Sequence, residues 1–435
     1  MLAASTRRAF ASIPSTASKA YSTAAAAQIS TASNGIKVAA IEEPGQTAGL
    51  AVVVNGGSRL ESTRGAAHLL KNYGFKNNAK RTAFRVTREA DLAGAVLSAN
   101  LTRESVVYAA EFLNGDAAQF AEILGDAVSS QKYQAHEFVD VAKKTAAESA
   151  SALANPEVAV LEAAHRAAFR TGLGNSLFAT PTANNDAVQQ YATELFKSGN
   201  VALVGSGLSL DKVQQFAETF FDLPSGNQLT ATPTKYFGGE ARYDAASSTG
   251  HYAIAFEGAA VDSADFAALE VLRYALGGQQ QVQFAAPSGI LGQISASLAE
   301  GSTLKAFNFG YSDAGLFGVY ASAPAAGAPA AVAAAAEQLK AVAKGLSEED
   351  FKRAVAQAKF GATAGFETRL DRLETVGAQA LRAGRYTSAA DVAAAIEKVS
   401  TSDVAKAAEK LLSSKPTTAA LGDLNSLPYA DSVSF

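Results

Sequence analysis

The sequence predicts an α+β fold built twice: two homologous modules, each a mostly antiparallel sheet covered by helices on one face. Three observations carry this. Short runs that alternate or are continuously apolar read as strands, and longer runs with apolar residues every three to four positions read as amphipathic helices. The same order of runs then returns after a polar, turn-rich stretch in the middle of the chain. The chain of 435 residues is also too long for one ordinary core.

Residues 1–33 stand apart from the modules. No Asp or Glu precedes Glu42, whereas Arg7, Arg8 and Lys19 lie among Ser, Thr and Ala. On a helical wheel Leu2, Ala9, Phe10 and Ile13 fall together, flanked by Arg7 and Arg8. An amphipathic, arginine-containing leader without acids predicts a mitochondrial presequence and a flexible N-terminus. Phe10 and Tyr21 each follow a basic residue by two places, and cleavage after either fits.

The first module is expected over residues 34–223. Gly35–Ile41 alternates like a strand, Pro44-Gly45 turns it, and Ala48–Asn55 (AGLAVVVN) is a second, more buried strand. Gly56-Gly57-Ser58 ends that strand, and a helix containing His68 follows. Ala95–Leu101 and Ser105–Leu113 read as a strand pair. A helix from Asp116 places Phe120, Ile123, Leu124, Ala127 and Val128 on one face. A long helical region, Gln134–Arg170, is broken at Asn155-Pro156, and helix Ala187–Ser198 leads into strand Asn200–Gly205.

From Leu223-Pro224 the helical pattern stops, and residues 224–245 read as a linker. The second module, 246–435, repeats the first. His251–Phe256 corresponds to the Ala48 strand, Ala264–Leu276 to the His68 helix, and Ala306–Ala323 to the strand pair. Ala330–Gly345 is a helix with Pro329 in its first turn, and Ser347 is the expected cap of the next. Helix Asp403–Ser413 leads into Thr417–Gly422, which echoes Val201–Gly205.

Composition excludes several classes. A net charge of -4 gives no nucleic-acid footprint. The absence of cysteine removes disulfides, thiolate metal sites and a cysteine nucleophile. The longest uncharged run, Ala314–Ala336, is mostly alanine and is interrupted by Pro324 and Pro329, which is too weak to span a bilayer. Val201–Gly207 lacks the third glycine of a dinucleotide fingerprint, since Leu210 stands there. Gly277-Gly278 reads as a helix stop and flexible connector, and Asn100-Leu-Thr102 is only a formal glycosylation sequon.

The stretch around which the chain is organised is Gly65-Ala-Ala-His-Leu-Leu-Lys-Asn-Tyr-Gly-Phe-Lys76. Inverted zinc peptidases carry H-x-x-E-H on a helix, with two histidines holding Zn²⁺ and the glutamate activating water. On that pattern His68 keeps the first ligand place, Lys71 stands at the general base, and Asn72 stands at the second ligand. Positions 68 and 72 share a helix face, so the geometry survives. The chemistry does not: an ammonium cannot take a proton from water and opposes a dication, and Asn is a poor zinc ligand. Taken alone, these residues describe an ordinary packed histidine.

The duplicated module, the leader and the Gly65–Lys76 stretch together resemble the pitrilysin-type family of mitochondrial processing peptidases and core subunits of respiratory complex III. The resemblance runs from about Ile36 to the C-terminus, and Ser312-Asp-Ala-Gly-Leu-Phe-Gly-Val-Tyr320 and Leu173-Gly-Asn-Ser-Leu-Phe178 are its most specific parts. It implies a duplicated zinc-peptidase-like fold. The third zinc ligand of active members is a Glu near a downstream Asn-Pro, a place that Glu148 matches. Active members also hold substrate with an Arg and a Tyr of the second half, yet no arginine lies between Arg273 and Arg353.

The departures match the structural core-type members. The resemblance therefore implies no catalytic residues, no metal and no cofactor. It implies pairing with core protein 1 around a bowl-like cavity, and contact with cytochrome b, the c-type cytochrome and the Rieske subunit. It also implies two copies in a dimeric complex and a peripheral place on the matrix side of the mitochondrial inner membrane. The other family role that fits is the non-catalytic α subunit of the processing peptidase. That subunit has a long glycine-rich loop where Gln279-Gln-Gln-Val-Gln-Phe284 stands in this chain, a departure that favours the core-type reading.

Overall fold

A computed structural model describes residues 26–178, 182–280 and 288–433. Residues 1–25 of the expected leader lie outside the described residues, but its end is not a flexible tail: Gln28–Thr31 pair antiparallel with Lys37–Ile41 as an edge strand, so the first module begins before residue 34. In chain order the first half contains strands β1 (Gln28–Thr31), β2 (Lys37–Ile41) and β3 (Thr47–Asn55), then helices α1 (Ala66–Tyr73) and α2 (Ala83–Ala93). Strands β4 (Val96–Leu101) and β5 (Ser105–Leu113) precede α3 (Ala117–Ser129), α4 (Ala135–Leu153), α5 (Pro156–Phe169) and α6 (Asn185–Leu195). Strand β6 (Val201–Ser206) and α7 (Leu210–Phe220) end this half.

The second half runs β7 (Gly239–Asp244), β8 (Thr249–Glu257), α8 (Ala264–Leu276), α9 (Ile290–Ser295), β9 (Thr303–Gly310) and β10 (Gly315–Pro324). It continues with α10 (Ala328–Ala343), α11 (Glu348–Ala364), α12 (Arg369–Arg382), α13 (Ala389–Glu397), α14 (Thr401–Ser413) and β11 (Thr417–Gly422). The sheets are ordered β1-β2-β6-β3-β5-β4 and β7-β11-β8-β10-β9. Each has one parallel pair, β2 with β6 and β7 with β11, among antiparallel neighbours. The expected duplication is thus present down to the placing of its one parallel ladder.

Local chemistry sets the boundaries. The long helical region divides where Asn155 caps α5, its side chain accepting from Glu157 N at 3.0 Å, with Pro156 in the first turn. Ser347 caps α11 by accepting from Asp350 N at 3.1 Å. The stretch expected as a linker ends in a strand: Gly239–Asp244 pairs in parallel with β11 as the sheet edge. GEARYD is short, polar and exposed on one edge, so it carries no apolar run to announce it. Gly277-Gly278 is not a loose connector either. Ala306 N bonds to Gly277 O at 3.0 Å, and a Cβ on Gly278 would lie 1.9 Å from Leu304 O. The pair is pinned against β9, and both residues have positive φ.

The expectation of helices on one face holds for each half taken alone, but the opposite faces are also covered. α5 of the first half lies on the second sheet, burying Val160, Ala164 and Phe169 against Ala253, Ala255, Leu316 and Ala419. Its counterpart α12 lies on the first sheet, burying Leu373 and Val376 against Ala51, Val53, Ala202 and Val204. Gly377 permits the approach, because a Cβ there would meet Val53 Cγ2 at 2.4 Å. Strand β3 is therefore apolar from Ala48 to Val54, because both of its faces are buried there.

Candidate functional site

Helix α1 opens at Gly65, in the left-handed region at φ 81°. The Glu61 carboxylate accepts from Gly65 N at 3.1 Å and Ala67 N at 3.2 Å, tying down the free donors of the first turn. Nearly the whole helix is buried, with Leu69, Leu70 and Tyr73 in the first core. Tyr108 Oη donates to Leu70 O at 2.8 Å, which locks α1 to β5. This leaves His68, Lys71 and Asn72 facing α4, which supplies Thr145, Glu148 and Ser149 from one face.

Three side chains of α1 converge on a single atom of α4. Glu148 Oε2 lies 2.8 Å from Lys71 Nζ, 2.8 Å from His68 Nε2 and 3.0 Å from Asn72 Nδ2. Lys144 Nζ is 3.7 Å from the other oxygen. Asn72 Nδ2 also donates to Thr145 Oγ1 at 2.9 Å, while its Oδ1 is buried without a partner among the described residues. His68 Nδ1 lies 3.3 Å from Ser149 Oγ, and the ring meets Phe178 edge-on at 6.3 Å between centroids. Phe178 closes the Leu173–Phe178 motif, so that motif packs beside the site.

The electrostatics follow from these contacts. Burial pushes the Glu148 carboxyl up, but hydrogen bonds from Lys71, Asn72 and His68 outweigh it and hold it at about 2. Burial holds the His68 imidazole below the usual histidine range, reinforced by the Lys71 charge and opposed by the bond to Glu148. At neutral pH the ring is therefore uncharged and donates its Nε2–H to the carboxylate.

These residues do not fit zinc. A catalytic site needs three protein ligands, and among the described residues no three His, Cys, Asp or Glu side chains gather to hold a metal. The Lys71 ammonium takes up the carboxylate oxygen that a metal would need, and the base position is a cation. The arrangement fastens α1 to α4 and offers no group to activate water.

Sequence reasoning brought His68, Lys71, Asn72 and Glu148 together correctly in space. It missed a second cluster, which closes the junction of the halves. Arg59 Nη1 bonds Glu104 at 2.5 Å and Ser312 Oγ at 2.9 Å, and its Nη2 bonds Asp313 at 2.6 Å. Arg103 bonds Glu162 at 2.5 Å and Tyr311 Oη at 3.2 Å, and Tyr311 Oη in turn lies 2.7 Å from His165 Nε2. Burial, with the Arg103 charge added, drives His165 well below the histidine range, so it is neutral and accepts from Tyr311. The signal was in view: the Ser312-Asp313 start of the most specific motif is this clasp. Beside it a cleft of about 1010 Å³ is lined from both halves, including Asn100, Arg103, Tyr311, Glu374 and Arg382.

Comparison with known proteins gives a consistent answer. The Insulinase (Peptidase family M16) family matches residues 37–181, and the Peptidase M16 inactive domain matches residues 182–358. Subunit 2 of the mitochondrial cytochrome b-c1 complex of Cryptococcus neoformans is 36% identical over 415 residues, 93% of this chain and 94% of that protein. A probable mitochondrial-processing peptidase subunit alpha-1 of Arabidopsis thaliana is 28% identical, covering 94% of this chain and 84% of that protein. A chain of complex III2 from Candida albicans with Inz-5 bound has the same fold, with a TM-score of 0.81 at 19% identity over 93% of this chain and 98% of that one. With both M16 domains matched in succession and a lysine-bridged carboxylate in place of the metal ligands, the chain belongs to the M16 peptidase family, on its non-catalytic cytochrome b-c1 complex subunit 2 branch.

Proposed function

We infer that this chain is a structural core subunit of mitochondrial respiratory complex III, contributing to assembly and stability and not to peptide cleavage. The observation that carries this is the convergence of Lys71, His68 and Asn72 on Glu148 Oε2, which turns a hydrolytic centre into a helix-to-helix fastening. The similarity to subunit 2 proteins along nearly the whole chain supports the same reading. Its partners are core protein 1, across a shared cavity, and cytochrome b, the c-type cytochrome and the Rieske subunit. Two copies serve the dimeric complex. Among the described residues no helix is long and apolar enough to cross a membrane. The chain sits on the matrix side through its partners.

The second reading, a non-catalytic processing peptidase α subunit, has the lower identity of the two relatives above. Comigration separates them. In detergent extracts the protein travels with cytochrome b, and cells lacking it lose assembled complex III and cytochrome b while presequence cleavage continues. Comigration with a soluble peptidase, and loss of presequence cleavage in its absence, would reverse the assignment.

A further inference from the structure

Away from the site, the surface where α5 ends carries a cluster of cations that outnumber the free carboxylates beside them. Arg170 follows α5 at φ 63° and ψ −52°. Thr171 N bonds back to Phe169 O at 2.7 Å, closing a γ-turn around it. That turn, with positive φ at its centre, is the rare and strained form, seldom taken by a residue with a Cβ. Such strain persists where the surroundings over-determine it, and it concentrates at functional positions.

The turn delivers the Arg170 guanidinium onto the ring of Phe237, with Cζ 4.4 Å from the centroid. Phe237 is itself held to the end of α5, its N–H donating to Ala168 O at 2.8 Å. Lys235, two residues earlier, brings Nζ to 5.3 Å from the same centroid. Lys415 lies alongside, its Cγ 3.0 Å from where a Cβ on Gly238 would be. Arg166 stands one turn before Arg170 on α5. All four cations are exposed, and none makes an ion pair or side-chain hydrogen bond among the described residues. Of the nearby carboxylates, Glu162 pairs with Arg103 and Glu240 with Arg242, which leaves the exposed Glu257, its N–H donating to Ser414 Oγ at 3.3 Å beside Lys415, as a single acidic group against four cations. In a chain of net charge -4 this is a local reversal of sign.

Complementing the negative end of the α5 dipole accounts for Arg166 and Arg170 at most. It does not account for Lys235 and Lys415, nor for a strained turn that holds one guanidinium over a ring. The ring contact takes up none of the guanidinium N–H groups, and these can make two parallel bonds to a tetrahedral anion. An ammonium beside it adds a point charge.

We propose that Arg170, Lys235 and Lys415, arrayed about Phe237, form a phosphate-binding site. The phosphate group comes from an anionic phospholipid headgroup or from a soluble phosphate compound. The site does not depend on the scaffold reading, and comigration with cytochrome b, scored on the same variants, keeps the two apart.

The test uses the full mature chain and two probes: inorganic phosphate in a calorimetric titration, and phosphatidylcholine vesicles with or without phosphatidylglycerol in cosedimentation. Arg170→Gly removes the guanidinium and relieves the positive φ, so its unfolding midpoint should equal or exceed that of the parent. Arg170→Gly and Lys235→Gln should each weaken binding about tenfold, the scale of losing charge-assisted hydrogen bonds. Arg88→Gln, which removes another exposed arginine beside a ring (Phe84), is the control for net charge and should leave binding nearly unchanged. Binding of phosphate alone supports the site with a soluble ligand. Vesicle binding that requires phosphatidylglycerol supports it with a lipid headgroup. Failure of both probes to bind, or equal weakening by Arg170→Gly and Arg88→Gln, overturns the proposal.

Discussion

Lys71 Nζ lies 2.8 Å from Glu148 Oε2, on the same oxygen reached by His68 and Asn72. A cation of the chain's own thus neutralises the carboxylate and fastens α1 to α4. The pair is half-buried, with side-chain exposures of 17% and 33%, so it is partly screened and not a core ion pair.

Lys71→Met should lower stability by about 1 to 2 kcal/mol at neutral pH, because Glu148 loses its charged donor while keeping two neutral ones. The folded Glu148 pKa is depressed from 4.5 to about 2, so its contribution is complete above 4.5 and disappears as pH falls toward 2. The penalty of the variant should shrink across that window. Urea unfolding of both proteins at a series of pH values checks this, and a penalty that does not change with pH would contradict it.

Glu61 titrates with the opposite sign. Burial raises its pKa from 4.5 to about 7, against the backbone N–H groups of Ala67 and Gly65 and the Arg64 charge. Its stability contribution is therefore present below 4.5 and lost as pH rises through 7. Glu61→Gln keeps an oxygen for the α1 N–H groups and removes the titration. Denaturation midpoints should vary less between those pH values in the variant than in the parent.

The purified mature protein should hold no stoichiometric zinc after mild chelation, as read by elemental analysis. Lys71→Glu with Asn72→His restores H-x-x-E-H beside Glu148 and should admit zinc. Cleavage of a presequence peptide should still be absent. Catalysis needs the peptide held in a reactive pose, and the second half has no arginine between Arg273 and Arg353 to hold it. Robust turnover by the double variant would show that only the metal was lost.

Arg59→Met should cost about 2 kcal/mol, since the buried guanidinium loses charge-assisted hydrogen bonds to Glu104 and Asp313, whose part-exposed carboxylates are partly screened. Because these come from different halves, calorimetry should also show a broader or divided transition. A sharp transition with an unchanged midpoint would mean that the clasp is idle.

Much of this was legible in the chain. The i, i+4 spacing of His68 and Asn72 put them on one face, and the positions matched by Glu148 and Lys71 made their pairing foreseeable. The continuous apolar run in Ala48–Asn55 and the cap at Ser347 located their elements to within a residue or two. What periodicity cannot show is which partner an apolar face meets. The Val160 face of α5 and the Leu373 face of α12 look like those of any amphipathic helix, and nothing local says that they cross to the other sheet. Strand β7 escaped notice because an exposed parallel edge needs few apolar residues, and Gly277-Gly278 because close backbone contact leaves the same glycine signature as slackness.

The crossing of α5 and α12 also governs what a cut can do. Each half keeps one sheet face dry only with a helix encoded in the other. Hydrolysis of the exposed stretch after Pro224 would therefore yield one noncovalent pair of fragments, released from each other only on unfolding. Expressed separately, the fragments would be obligate complements, each soluble and native only when the other is supplied. The duplication is irreversible in this sense, because neither copy can now be inherited, shuffled or lost alone.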